Sequence, residues 1–167
     1  MVYRIVFKPK IINVPTISQD WSIKLEGKSF DEMIKISWES FYRVRRQTLR
    51  AIREDWDLLM AYTRLLDTIG ELCYGKFLAP FKAYTACNRF VGEVKSRLDD
   101  EKETVFLIVS DHEMERFGNT PYGKHSDHGF YSLNIKTEWK PKFITDFFPK
   151  ILEWLEENFI SHFISHY

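Results

Sequence analysis

Thr104-Val-Phe-Leu-Ile-Val109, running directly into Ser110-Asp111-His112, decides how the rest of the chain is read. The run is β-branched and aromatic and follows a charged turn, so it predicts a strand. That strand ends in an adjacent carboxylate and imidazole. Gly123-Lys124-His125-Ser126-Asp127-His128-Gly129 follows one loop later, so three of the five histidines fall between positions 112 and 128. Aspartate and neutral histidine are donors suited to a divalent metal. The plainer alternative is that His125 and His128 are ordinary loop residues and that Asp111 caps a turn.

Upstream, Asp57-Leu-Leu-Met-Ala-Tyr-Thr63 is short, apolar and flanked by charge, the pattern of a buried parallel strand. It leads into Arg64-Leu-Leu-Asp67-Thr-Ile-Gly-Glu71, where Asp67 and Glu71 stand one helical turn apart on one face, close enough to share a cation. Without a cation the two carboxylates repel. Here too a plainer alternative stands: Asp67 caps a helix and Glu71 is simply exposed. Residues 80–98 then carry Phe81, Tyr84, Phe90, Val91, Val94 and Leu98 at helical spacing. Strand, helix, strand in this order implies a right-handed crossover between neighbouring parallel strands. The expected fold is α/β, one domain over residues 1–167, with a mostly parallel sheet of about four or five strands flanked by helices. Loops after Thr63 and Val109 would leave from the same carboxyl edge, where open α/β folds place ligands. Asp67, Glu71, Asp111 and His112 are therefore expected to converge.

The flanks fill in the remaining elements. Residues 2–7, 11–14 and 21–25 read as extended segments, the last able to pair with the first as a small hairpin. Ser29-Phe-Asp-Glu32 is a capping box, and Phe30, Met33, Ile34, Trp38, Phe41, Leu49 and Ile52 keep a helical period after it. The same helix carries Arg43, Arg45, Arg46, Arg50 and Arg53. They read as a solvated face near a helix C-terminus, because a charge run without interleaved stacking aromatics argues weakly for nucleic acid. Residues 114–129 are polar and glycine-bearing, a loop by composition, followed by a short strand over 130–135. From about Pro149 a helix presents Ile151, Leu152, Trp154, Leu155, Phe159, Ile160, Phe163 and Ile164. So broad an apolar surface is either sandwiched in the fold or used to form a homo-oligomer.

Composition bounds the function. The 167 residues are 44% hydrophobic and 16% aromatic with zero formal net charge, which disfavours a whole-surface grip on nucleic acid or anionic membrane. Cys73 and Cys87 have no CxxC spacing, so neither a disulfide framework nor a thiolate zinc site is indicated. No apolar run approaches the roughly 20 residues that span a bilayer, and the N-terminus does not read as a signal peptide. The expected setting is cytoplasmic, without membrane association or sequence-specific nucleic-acid binding.

Leu107-Ile-Val-Ser-Asp111-His112-Glu-Met114, with Gly123-Lys-His125-Ser-Asp-His-Gly129-Phe-Tyr-Ser132, resembles the carboxyl-terminal metal-binding part of the type I phosphodiesterase and nucleotide pyrophosphatase family, in the alkaline phosphatase superfamily. Asp67-Thr-Ile-Gly-Glu71 and Ala83-Tyr84 are similar to that family's Asp-x-x-x-His element and the helix after it. The resemblance covers about residues 57–134. It implies part of an alkaline phosphatase-like fold and two divalent cations, usually zinc. Asp111 and His112 would bind one, and Asp67 and His125 the other, with Glu71 where the family has a histidine. His128 competes with His125, but the spacing from His125 to Gly129 fits the family better. The implied ligand is a phosphorylated small molecule or nucleotide. Glu113 replaces a family glycine, and the strand, aspartate and Thr or Ser nucleophile that precede this region in the family have no counterpart before Asp57. Thr16 and Ser18 match the nucleophile by residue type alone. The resemblance thus implies either hydrolysis without a side-chain nucleophile, an inactive remnant acting as an interaction protein, or one half of a split enzyme whose amino-terminal half is another chain.

Overall fold

A computed structural model describes residues 27–54, 56–98 and 104–164, with side chains up to Glu156. The extended segments expected over 2–7, 11–14 and 21–25, and the nucleophile candidates Thr16 and Ser18, lie outside the described residues. Three helices come first: α1 (Phe30–Ala51), α2 (Leu65–Cys73) and α3 (Leu78–Lys95). Four short strands follow, β1 (Leu107–Ser110), β2 (Met114–Arg116), β3 (Gly123–His125) and β4 (Phe130–Leu133). A 3₁₀ turn over Ile144–Asp146 leads into α4 (Phe147–Ile164).

α1 starts at its capping box: the Ser29 amide donates to Glu32 Oε2 at 2.8 Å, and the Glu32 amide donates to the Ser29 hydroxyl at 3.4 Å. Its buried positions, Ser37, Phe41, Val44, Thr48 and Ala51, step by three or four residues, so one stripe faces inward. Opposite it, α2 buries Leu65, Thr68, Ile69 and Cys73, and α3 buries Ala83, Phe90 and Val94. The core is therefore helix on helix, with Phe41, Leu65, Ile69 and the fully buried Ala83 at its centre. Ala83 decides which face of α3 turns inward. Its small side chain lets α3 come close, while Phe81 and Tyr84, expected on the buried face, stay more than half exposed. Arg45 is bound to α3, donating to Glu93 from Nε at 2.8 Å and from Nη2 at 2.7 Å.

The mostly parallel sheet flanked by helices is not what this chain forms. Among the described residues there are two antiparallel two-stranded ladders, β1 with β4 and β2 with β3. Residues 57–63 form no strand. The cause is where the helices bury their apolar stripes. α1, α2 and α3 bury their main apolar stripes against one another, so they do not form the two covering layers that a parallel crossover sheet needs. β1 instead pairs with the returning chain, Leu107 opposite Leu133 and Ser110 opposite Phe130. α4 packs through rings: Trp139 meets Phe147 at 5.3 Å and Trp154 at 5.8 Å between ring centres, and Tyr131 of β4 meets Phe147 at 5.7 Å. Among the described residues no helix is long and apolar enough to cross a membrane.

The two ladders lie end to end along one pair of chain segments, and the register slips by one residue between them. Residues 111–113 on one arm face 126–129 on the other, an extra residue that makes a bulge. Glu113 ties it shut: its amide donates to the His128 carbonyl at 2.8 Å, and its carbonyl accepts from the Ser126 amide at 3.0 Å. Gly129 is required there, since a Cβ would stand 2.7 Å from the Ser110 carbonyl oxygen. The arms join through a turn in which the Phe117 amide donates to the Tyr122 carbonyl at 3.0 Å, with Gly118 at φ 56°.

Candidate metal centre

The bulge changes where the side chains of the second ladder point, and α2 supplies the facing group. Asp67 lies in the first turn of α2 without capping it, because the Arg64 cap position makes no side-chain cap bond. Asp67 Oδ1 lies 3.1 Å from His125 Nε2 and 3.7 Å from His112 Nε2. One ligand atom from each of Asp67, His112 and His125 falls within 4.8 Å of the others, forming a cluster suited to one cation. The imidazoles of His112 and His125 stack face to face, ring centres 3.6 Å apart and 12° from parallel.

The neighbours hold these donors in place. Arg64 donates from Nε at 3.0 Å and Nη2 at 2.8 Å to Asp67 Oδ2, leaving Oδ1 toward the histidines. His112 Nδ1 lies 3.3 Å from the Glu113 carbonyl, so the ring hydrogen belongs on Nδ1 and the Nε2 lone pair faces the cluster. Glu71, one turn after Asp67, reaches His125 Nε2 at 3.2 Å. Asp111 lies 3.8 Å from His112 Nε2 with its side chain largely exposed, at the rim. His128 takes part through its backbone, its carbonyl accepting from the Glu113 amide at 2.8 Å and its amide donating to Ser126 Oγ at 3.4 Å.

The donor types suit a divalent ion, and because the two imidazole planes are 12° from parallel, a shared ion requires one ring to turn until both Nε2 lone pairs meet it. Donors about 2.0–2.2 Å from a tetrahedral zinc stand about 3.4 Å apart, close to the separations Asp67 makes with both imidazoles. Asp67, Glu71 and Asp111 set three carboxylates against the one guanidinium of Arg64, leaving two negative charges for a divalent ion to neutralise. Three protein donors with one side open to solvent is the pattern of a reactive site, as distinct from a closed structural one. The division implied by resemblance draws on the same donors, with His112 Nε2 3.8 Å from Asp111 and His125 Nε2 3.1 Å from Asp67, while His112 also stands 3.7 Å from Asp67. Two further residues escaped the sequence reading. Arg64 was visible in principle, three positions before Asp67 on one helical turn. Tyr62 was not: partial burial pushes its phenol above the usual tyrosine range, with Arg64 opposing and Asp67 and Asp111 adding to it, although the residue is 54% exposed.

The junction of α2 with β3 fixes the distance across the cluster. Gly123 backs onto the Gly70 carbonyl so closely that a Cβ at 123 would overlap it, and Met114 fills the space over Gly70. Gly123→Ala should force β3 off α2, costing about 1–3 kcal/mol of stability and separating His125 from Asp67. Urea denaturation and metal titration of that variant should both shift, and an unchanged titration would show that the junction does not set the site.

No family model, curated protein or solved structure matches the chain.

Proposed function

We propose that the chain binds a single divalent transition-metal ion, best met by zinc, through Asp67, His112 and His125, and hydrolyses phosphoric diesters at the open side of that centre. The observation that carries this reading is the convergence of one carboxylate and two imidazoles from three separate segments onto a solvent-facing point. The phosphoric ester comes from the resemblance of residues 107–132 to phosphodiesterases. When bound, the ion supplies Lewis acidity toward a phosphoryl oxygen and toward water.

The protein's own groups do the rest. Arg64 holds Asp67 with one oxygen inward. Glu71, half-exposed and 3.2 Å from His125, is placed to accept a proton. Ser110 and Ser126 are not free nucleophiles, since their hydroxyls donate to the His112 carbonyl at 2.7 Å and the His128 carbonyl at 3.3 Å. Burial pushes the Cys87 thiol up to about 11, which leaves it a poor nucleophile at neutral pH. The reading therefore assigns attack to water. Two free thiols, Cys73 and Cys87, accord with a reducing, cytoplasmic setting.

The test is zinc titration of the purified chain together with cleavage of bis-p-nitrophenyl phosphate in zinc or manganese. One tightly bound ion per chain and metal-dependent release of p-nitrophenol are expected. Tight binding without cleavage would overturn the hydrolase half, and the absence of tight binding would overturn the whole reading.

A further inference from the structure

A second feature lies between α1 and α3. Trp38 and Tyr42 on one side, with Phe81, Lys82, Thr85 and Arg89 on the other, line an open groove of about 520 Å³. No carboxylate is among the residues that line it. Trp38 and Tyr42 stack on each other with centres 5.8 Å apart at 30°, and Phe81 stacks on Phe77 at 5.8 Å and 18°. These are two ring platforms with exposed faces: Tyr42 is 47%, Phe81 57% and Phe77 76% accessible. One end is bounded by the Arg45–Glu93 pair. Arg46, one turn beyond Tyr42, is exposed and adds positive charge on the same side.

We propose that this groove binds single-stranded nucleic acid without sequence preference, its bases stacking on Trp38, Tyr42 and Phe81 and its phosphates meeting Lys82 and Arg89. α1 brings Trp38 and Tyr42 and α3 brings Phe81, Lys82 and Arg89, so rings and cations meet only where the two helices pack. Exposed stacked rings joined to cations, with no carboxylate among the described lining residues, match the two chemistries of an unpaired strand, flat apolar bases and a regular anionic backbone. An acidic peptide would use the cations and leave the rings bare. A second copy related by a twofold axis would bring Lys82 and Arg89 against their own counterparts, a repulsive contact. A duplex hides its base faces and has nothing to stack on these rings.

The experiment is fluorescence anisotropy of a short labelled oligothymidylate with the full chain, at salt between about 50 and 200 mM. Binding should weaken steeply with salt and be displaced poorly by duplex. Phe81→Ala and Tyr42→Ala should each weaken it about tenfold, and Arg89→Glu should weaken it and flatten the salt dependence. These side chains are exposed, so circular dichroism should match the parent for all three. No binding at the lowest salt, or binding indifferent to both ring variants, overturns the proposal. Displacement by polyglutamate as effective as by unlabelled oligonucleotide would reduce the groove to a charge patch. A dimer abolished by Phe81→Ala, with no oligonucleotide bound, would assign the face to self-association instead.

Discussion

Replacing Asp67 with alanine is expected to remove high-affinity zinc binding, weakening it at least about a hundredfold in competition with a chelating dye. Asp67 Oδ1 is the one atom adjacent to both imidazoles, 3.1 Å from His125 and 3.7 Å from His112. Its loss removes one of three donors and leaves the Arg64 guanidinium facing the space a cation would occupy. The thermal signature should be as clear. An ion at a hundred times its dissociation constant stabilises a folded chain by about 2.7 kcal/mol, which for a domain of this size raises Tm by about 5–10 °C. The parent chain should show that rise with zinc, and Asp67→Ala should show none. Arg64→Ala keeps all three donors but loosens Asp67, so it should fall between them, about ten- to a hundredfold weaker. An Asp67→Ala protein that binds zinc like the parent would remove the basis for the centre.

Phe41→Ala should be the most destabilising single truncation in the helical core, at about 3–5 kcal/mol. Phe41 is 1% exposed, and its ring meets Trp38 at 6.1 Å, Tyr42 at 5.5 Å and Phe90 at 6.0 Å, all steeply inclined. Removing it empties the space where α1 lies on α3 and breaks three edge contacts at once. Domains commonly have only about 5–15 kcal/mol in total, so urea denaturation should show a large fall in midpoint, with part of the population unfolded at rest. Phe81→Ala, at an exposed position on the neighbouring face, should cost less than about 0.5 kcal/mol. Equal losses for the two would mean that the core has been misplaced.

What could be read from the residues was what they encode locally. The Ser29 and Glu32 box and the stripe through Phe41 and Leu49 fix α1 within a few turns, and the structure forms it over Phe30–Ala51. Asp67 and Glu71 on one helical face follow from spacing alone, and α2 carries both. Strand pairing is a different matter. Nothing within residues 104–109 states whether the partner is a parallel strand across a helix or the returning chain at Phe130–Leu133, and the outcome depended on α2 and α3 burying their stripes against α1. The face of α3 was misread for a related reason: two overlapping helical stripes are present, and the close approach allowed by Ala83 selects the one without Phe81 and Tyr84. The second ladder was hidden because residues 114–116 and 123–125 are polar and short, although Gly118-Asn119 marks its turn.

The one-residue slip between the two ladders sets regularity against use. Had the register of the first ladder continued, Met114 would stand opposite Ser126 and Glu115 opposite His125. His125 would then turn to the face of the ribbon opposite His112, away from Asp67. The slip exchanges one regular pairing for a face on which both imidazoles meet Asp67.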